Sequence, residues 1–374
     1  MRLALAIDSL GPGGAQRVLT TMAGEWAARG RLVTLVTLEG QATPAFALDP
    51  AVSLVRLGTI GSGRSAIRRL WGKGRHIAAL RGAIAAARPD VVVSFIDRVN
   101  VLTLLATIGL SVPVVVSERT EPAAYPLGWM WEWLRARTYP TAAALVAQTA
   151  AALRYFPPAR GRIDRVIPNP VAAVPRRAPR AGASRARPLV LGMGRLGPEK
   201  GFDHLLAAFA RVAARFPEWD LEIWGEGPER PALERQCADL GLGPRARLPG
   251  LTPKPKELMG SADLFVLSSR FEGFPNVLCE AMASGLPVVS YDCPSGPRAI
   301  IRHEVDGLLV GPEGGVEALS VALARLMGDP AERQRLSARG PDVADRFGLE
   351  GIMGLWDSLL ADVLGAAGHR ETRS

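Results

Sequence analysis

Short apolar runs alternate along this chain with longer segments in which apolar residues recur every three or four positions. In the first half the runs fall at residues 3–7, 33–38, 52–57, 91–95, 114–116 and 144–147. Each is nearly continuous in Val, Leu, Ile and Ala, the pattern of a strand covered on both faces. With helical segments between them, the rhythm predicts a parallel sheet wrapped by helices. Residues 99–116 are the most apolar longer stretch, but Asn100, Thr103, Thr107, Ser111 and Pro113 interrupt it. That predicts a helix followed by a strand, not a membrane span.

The rhythm stops at residues 171–188, which are rich in Pro, Ala and Arg, lack periodicity and read as a connection. It restarts at residue 189 and runs through strands near 221–224, 247–250, 263–267 and 287–291. A last amphipathic segment carries Ile352, Leu355, Trp356, Leu359, Leu360 and Val363, with a tail at 365–374 expected to fray. The chain of 374 residues is thus expected to be α/β, with units at 1–170 and 189–345 and a terminal segment at 346–374.

Composition narrows the class. Cys237, Cys279 and Cys293 are odd in number and form no metal-spaced pair, which fits free thiols in a reducing compartment. The apolar run after Met1 is too short for a signal peptide, so a cytoplasmic location is expected. Of the net charge of +9, residues 1–170 hold 20 Lys and Arg against 10 Asp and Glu, whereas residues 189–374 hold 20 against 26. Nucleic acid, an anionic membrane or a diphosphate-linked acceptor would each explain a basic first half, and so would an Arg- and Ala-rich composition.

Two stretches favour the membrane over nucleic acid. Between residues 60 and 81, Arg64, Arg68, Arg69, Lys73, Arg75 and Arg81 interleave with Ile67, Leu70, Trp71, Ile77 and Leu80. Residues 125–137 hold Tyr125, Trp129, Trp131 and Trp133 beside Arg135 and Arg137. Aromatic and basic residues together suit a helix at headgroup level, although ordinary amphipathic helices packed on a sheet have similar patterns. Peripheral association with the inner face of the plasma membrane is the expectation.

Candidate chemistry concentrates after the 263–267 strand, in S-S-R-F-E-G-F-P-N-V-L-C-E-A-M-A-S-G-L-P. Asn276 is placed to cap a helix, and Gly285 with Pro287 to end it. Glu272 then lies on a loop at the carboxyl end of a strand, and Glu280 lies one turn into the helix. Backbone amides of Gly273, Phe274, Pro275-Asn276 and the helix start suit a diphosphate, while carboxylates suit sugar hydroxyls. A second string, Gly194-Arg195-Leu196-Gly197-Pro198-Glu199-Lys200-Gly201, sets two cations after the 189–193 strand.

These strings resemble the retaining glycosyltransferases of family four, with Glu272 and Glu280 as the E-x7-E signature. The resemblance implies a GT-B fold, with two Rossmann-like domains, an interdomain cleft and a last helix crossing back to the first domain. It implies that Arg195 and Lys200 hold the donor diphosphate, that Glu272 and the amides after it hold the sugar, and that Glu280 holds the ribose. Gly13 and Gly14, in a turn that fails as a dinucleotide fingerprint because Gln16 stands where glycine is needed, are implied on the donor side.

Ser117-Glu118-Arg119 resembles a loop of members that extend lipid-linked or exported polysaccharides. It places Glu118 and Arg119, with Asp97, Arg98 and Asn100 after the preceding strand, on the acceptor side. No histidine occurs between His76 and His204, where many members carry one beside the sugar, and Ala299 stands where glutamate is usual. No D-x-D metal motif occupies the expected place, so neither metal nor cofactor is expected. The implied reaction moves a hexose or N-acetylhexosamine from a UDP-sugar to a polyprenyl-diphosphate-linked or polysaccharide acceptor. A GT-B-like epimerase, an NAD-dependent dehydrogenase and an inactive membrane scaffold are the alternatives.

Overall fold

The computed structural model describes residues 1–40, 44–58, 66–171 and 187–371, without the side chains of 66–73 and 368–371. Arg64 and most of the 171–188 connection lie outside the described residues, as do the side chains of Ile67, Arg68, Arg69, Leu70, Trp71 and Lys73. Two compact units form, one from Met1–Asn169 joined by the chain from Ile352 onward, the other from Pro170–Gly351.

In the first unit β1 (Arg2–Ile7), β2 (Leu32–Thr37), β3 (Ser53–Arg56), β4 (Val91–Phe95), β5 (Val114–Ser117), β6 (Ala144–Ala147) and β7 (Ile163–Val166) build a parallel sheet. Their order is β3-β2-β1-β4-β5-β6-β7. The second unit repeats the plan with β8 (Leu189–Met193), β9 (Asp220–Trp224), β10 (Ala246–Gly250), β11 (Leu264–Leu267), β12 (Val288–Tyr291) and β13 (Leu308–Val310), ordered β10-β9-β8-β11-β12-β13. Every pairing is parallel. Both are Rossmann-like orders, whose direction reverses between β1 and β4 and between β8 and β11. At such switch points the loops leaving the carboxyl ends diverge and leave room for a ligand.

Two strands escape the apolar pattern. β7 reads Ile-Asp-Arg-Val on the sheet edge, where alternate side chains meet water, and β13 is only three residues long. A cavity of about 520 Å³ lies at the amino ends of β5 to β7, bordered by Val114, Ala143 and Ile163, the edge opposite the carboxyl-end loops.

The helix Leu349–Glu371 continues past the point where fraying is expected at Gly365. Ile352, Met353, Trp356, Leu359, Leu360 and Val363 are buried. Trp356 meets Trp26 edge-on and stacks on Phe95, both with ring centroids 6.1 Å apart. Next to it, Asp357 accepts from Trp26 Nε1 at 3.0 Å and pairs with Arg29 and Arg31 at 2.9 and 2.7 Å. The last helix is thereby part of the first unit's core.

Candidate active site

In the second unit β11 is fully buried, and its chain emerges at Ser268 and Ser269 into the loop that carries Glu272. The following helix spans Asn276–Ala283 with Pro275 before it and no side-chain cap. Asn276 is therefore its first residue and not its cap, because the extended backbone of Pro275 takes the cap position one residue earlier than the sequence indicates. The other end is as expected: Leu286 N donates to Ala281 O at 3.0 Å and Gly285 N to Met282 O at 2.9 Å, with Gly285 at φ +74°. Only a residue tolerating the left-handed region closes a helix this way.

Glu272 is the hub of this loop. Its Oε1 accepts from Lys200 Nζ at 2.6 Å and from Ser269 Oγ at 2.7 Å, and its backbone carbonyl accepts from Ser295 Oγ at 2.6 Å. The Lys200 and Glu272 side chains are only 20% and 10% exposed, so the pair is shielded from solvent more than an ordinary surface ion pair. Ser295 belongs to the segment Cys293-Pro294-Ser295-Gly296-Pro297 after β12, whose Gly296 has φ +90°. A Cβ on Gly296 would stand 2.8 Å from Pro275 Cδ and 3.1 Å from Gly273 O, so glycine is required for the two loops to touch. Phe274 is buried edge-on against Phe347 at 5.2 Å, which anchors the backbone between Glu272 and the helix. Glu280 lies half-buried one turn into that helix.

The β8 loop supplies the cations. Lys200 ends a short turn at Pro198–Lys200, followed by Gly201 at φ +59°, where any Cβ would collide with Ser268 O. Arg195 is 61% exposed, with Nε and Nη2 on Glu199 Oε1 at 3.1 and 3.0 Å. Lys200 and Glu272 thus touch, and Arg195 stands on the same loop as Lys200.

The first unit gathers the second group of candidates at the carboxyl ends of β4 and β5. Ile96, at φ +76°, turns the chain into the helix Asp97–Ala106; a positive φ is rare for a β-branched residue and marks a strained turn. Asp97 opens that helix buried, which raises its carboxyl above the usual range, while Arg98 is exposed. Asn100 has no exposed surface: its Nδ2 donates to Ser117 O and Tyr139 Oη, both at 3.1 Å, and its Oδ1 accepts from Ser94 Oγ at 2.8 Å. Both polar atoms of the Asn100 side chain are engaged, tying β4, β5 and Tyr139 together, which is a strut's geometry.

Glu118 and Arg119 are buried as well. Tyr139 Oη donates to Glu118 Oε1, while Oε2 has no hydrogen-bond partner among the described residues. Burial pushes the Glu118 carboxyl up to about 7 and the Arg119 guanidinium down to about 9. Arg119 lies 3.7 Å above the Phe95 ring and 5.7 Å from Trp356, and donates from Nη1 to Asn169 Oδ1 at 2.7 Å. A carboxyl of raised folded value holds its proton between about 4.5 and 7 when the unfolded chain has lost it, so its contribution to stability falls as pH rises through that window. Glu118→Gln is therefore expected to be more stable than wild type at pH 8, with the difference shrinking toward pH 5. Melting curves over that range check it, and a pH-independent difference rules it out.

Gly13 and Gly14 begin the helix Gly14–Ala28 after β1. Gly13 has extended backbone at φ −178°, open to any residue, and Gln16 folds over the turn to donate from Nε2 to Asp8 Oδ1 at 3.1 Å. Ser269, Ser295 and Arg270 are functional neighbours that the sequence pattern does not mark, although Ser269 and Arg270 lie inside the string that carries Glu272. Their signal is positional only, since serine and arginine flanking a motif are common on any surface.

Two family descriptions match the chain in succession: "Glycosyl transferase 4-like domain" over residues 13–172 and "Glycosyl transferases group 1" over residues 177–343. A GalNAc-transferase of Campylobacter jejuni, named for an undecaprenol-diphosphate-linked substrate, is 26% identical over 98% of this chain and 100% of its own length. An exopolysaccharide phosphotransferase of Streptomyces coelicolor is 30% identical over 94% of this chain, which spans only 40% of that longer protein. Among solved structures, sucrose-phosphate synthase of Thermosynechococcus elongatus superposes with a TM-score of 0.80 at 20% identity, covering 98% and 99% of the two chains. Anabaena HepE in complex with UDP superposes with a TM-score of 0.75 at 20% identity, covering 97% and 100%. Both are likenesses of fold. With two Rossmann-like sheets and these matches end to end, the chain belongs to the glycosyltransferases of GT-B fold, a 4-like domain followed by a group 1 domain.

Proposed function

We propose that this glycosyltransferase moves a hexose or N-acetylhexosamine from a UDP-sugar to a lipid-linked oligosaccharide or polysaccharide, with retention of configuration. The observation that carries the reading is the shielded contact of Lys200 with Glu272 at the carboxyl end of β11, with Glu280 one turn into the helix that follows. Lys200 and Arg195 stabilise the diphosphate as the bond from the anomeric carbon to its phosphate oxygen breaks and charge builds on the leaving group. Such stabilisation grows toward the transition state, so it raises turnover and not only binding. Glu272, with the backbone N–H groups of Gly273, Phe274 and Asn276, receives the sugar hydroxyls, and Glu280 receives the ribose.

The acceptor oxygen bonds to the anomeric carbon on the face the phosphate leaves, and its proton passes to that phosphate. No side chain has to form a covalent intermediate, and no metal is invoked. Gly13 and Gly14 contribute to the donor side. Asp97, Arg98, Glu118 and Arg119 form the acceptor side, with Asn100 holding their loops in register. The Campylobacter relative's name supports the lipid-linked acceptor, and the UDP complex of the Anabaena neighbour supports the donor nucleotide.

A thermal-shift screen tests this. A UDP-sugar at a hundred times its Kd stabilises the folded state by about 2.7 kcal/mol, a shift of several degrees, whereas NAD gives none. Absence of a shift with every nucleotide sugar overturns the reading, and a new nucleotide sugar formed without acceptor replaces it with epimerisation.

The membrane side of the proposal rests on the helix Trp129–Thr138. No helix among the described residues is long and apolar enough to cross a bilayer. Trp129 and Trp133, one turn apart, are 84% and 53% exposed, and Arg137 covers Trp133 at 5.1 Å. Trp131, on the inner face, lies 5.6 Å from the Arg98 guanidinium, so the exposed edge adjoins the acceptor-side residues. Indole rings and a cation in one line suit the headgroup layer of an anionic membrane. Wild type is expected to float with anionic liposomes and Trp129→Ser/Trp133→Ser to stay in the load fraction; equal flotation of the two removes this helix from the contact.

A further inference from the structure

The turn that carries Lys200 has a mould. Three successive carbonyls of that turn accept hydrogen bonds from two residues of the β11 loop, Ser268 and Arg270. Lys200 O accepts from Ser268 Oγ at 3.0 Å, Glu199 O from Arg270 N at 2.8 Å, and Pro198 O from Arg270 Nη1 at 2.6 Å. Gly201, next in the chain, lies so close to Ser268 O that no side chain fits there. Arg270 extends the grip to Asp203, in the first turn of the helix Phe202–Ala213, with Nη1 on Oδ1 at 2.9 Å and Nη2 on Oδ2 at 2.6 Å.

From this geometry we infer that Arg270 is a positioning residue, whose guanidinium locks the Pro198–Lys200 turn onto the Glu272 loop and so sets where the Lys200 ammonium stands. The inference rests on the role given above to Lys200. Arg270 and Asp203 are 39% and 45% exposed, and an ion pair that open contributes little to stability. Its geometry is nevertheless demanding: one planar fork serves two carboxylate oxygens and a carbonyl across two loops. A lysine ammonium or a glutamine amide cannot span that set. What the fork fixes is the path of the backbone two residues before Lys200, and a displacement of about 1 Å at a charge-stabilising group costs on the order of 100-fold in rate. Arg270 therefore acts through Lys200 and need not touch the substrate.

Two readouts on the whole chain test this. In kinetics with the UDP-sugar found active, Arg270→Gln is expected to lower kcat about 10- to 100-fold with KM for the donor changed less than about threefold. In a Lys200→Ala background the same substitution is expected to cost less than about twofold, because the residue it positions is gone. An undiminished cost in that background overturns the inference, as does wild-type kcat in Arg270→Gln.

The second readout needs no turnover. The chain has four lysines, Lys73, Lys200, Lys254 and Lys256, so reductive methylation with 13C-formaldehyde gives few NMR signals, and the one lost in Lys200→Arg identifies Lys200. Arg270→Gln is expected to shift the Lys200 methyl resonance and leave the other three in place. If Arg270→Gln does not fold, Asp203→Asn, which removes one anchor of the fork, is expected to shift the same signal. An unmoved Lys200 signal in a folded variant sinks the inference even if the enzyme is active. A moved signal in a chain that turns over no nucleotide sugar leaves the positioning role standing and removes the proposed function.

Discussion

Lys200→Ala is expected to lower kcat with a UDP-sugar by roughly 100- to 1,000-fold, the scale of a lost electrostatic contact to a charge that develops in the transition state. The ammonium stands 2.6 Å from Glu272, on a turn fixed by the β11 loop, so its position is set before any donor arrives. Removing it has a second effect. Glu272, 10% exposed, keeps Ser269 as a donor but loses its cation, and a carboxylate so largely buried without one is destabilising. The two effects separate in Lys200→Met/Glu272→Gln, which lacks both charges. Its melting temperature should return toward wild type while turnover stays lost. Steady-state kinetics and melting curves on the three proteins decide it, and near-normal kcat in Lys200→Ala refutes the role.

Trp356→Ala is expected to destabilise the first unit by about 3–5 kcal/mol, the range for deleting a fully buried aromatic side chain. Trp356 belongs to the last helix, yet its neighbours Trp26 and Phe95 come from the first helix and from β4. Arg119 adds to the cost, because its guanidinium lies over Phe95 with Trp356 at 5.7 Å, and a cavity there leaves a buried cation short of contacts. A chain of two units need not unfold in one step. Urea titration should show the transition reporting on the first unit moving and that of residues 170–351 holding, as Trp356 and its ring neighbours Trp26 and Phe95 all belong to the first unit. A shift of only the second transition would contradict the packing described.

Trp356 also shows how far a linear reading reaches. Its place on the apolar stripe of a final helix follows from periodicity, since Ile352, Leu359, Leu360 and Val363 share that face. The return of this helix to the first unit came from family resemblance alone, because an apolar stripe does not name what covers it. The acceptor-side residues make the same point differently. Asn100, Glu118 and Arg119 are legible as polar residues after strands, the usual place for a site, but all three are buried and two carry shifted proton affinities. Burial is a property of neighbours, here Tyr139, Phe95 and Trp356, which are distant in the chain.

By itself the amino-acid order determined the alternation of strand and helix, the two-unit division, and the strings holding Arg195, Lys200, Glu272 and Glu280, because period, turn chemistry and motif spacing are local properties. It was silent on β7 and β13, because an edge strand with polar Asp and Arg and a strand of only three residues give too short an apolar pattern to mark a strand. Only the tertiary structure decided that Lys200 meets Glu272, that Ser269 and Ser295 hold that carboxylate's loop, and that Arg270 spans to Pro198 and Asp203. The Lys200 and Arg270 contacts join residues about 70 positions apart in the segments that follow neighbouring strands β8 and β11, and adjacency in a sheet is set by strand order, which no local pattern encodes.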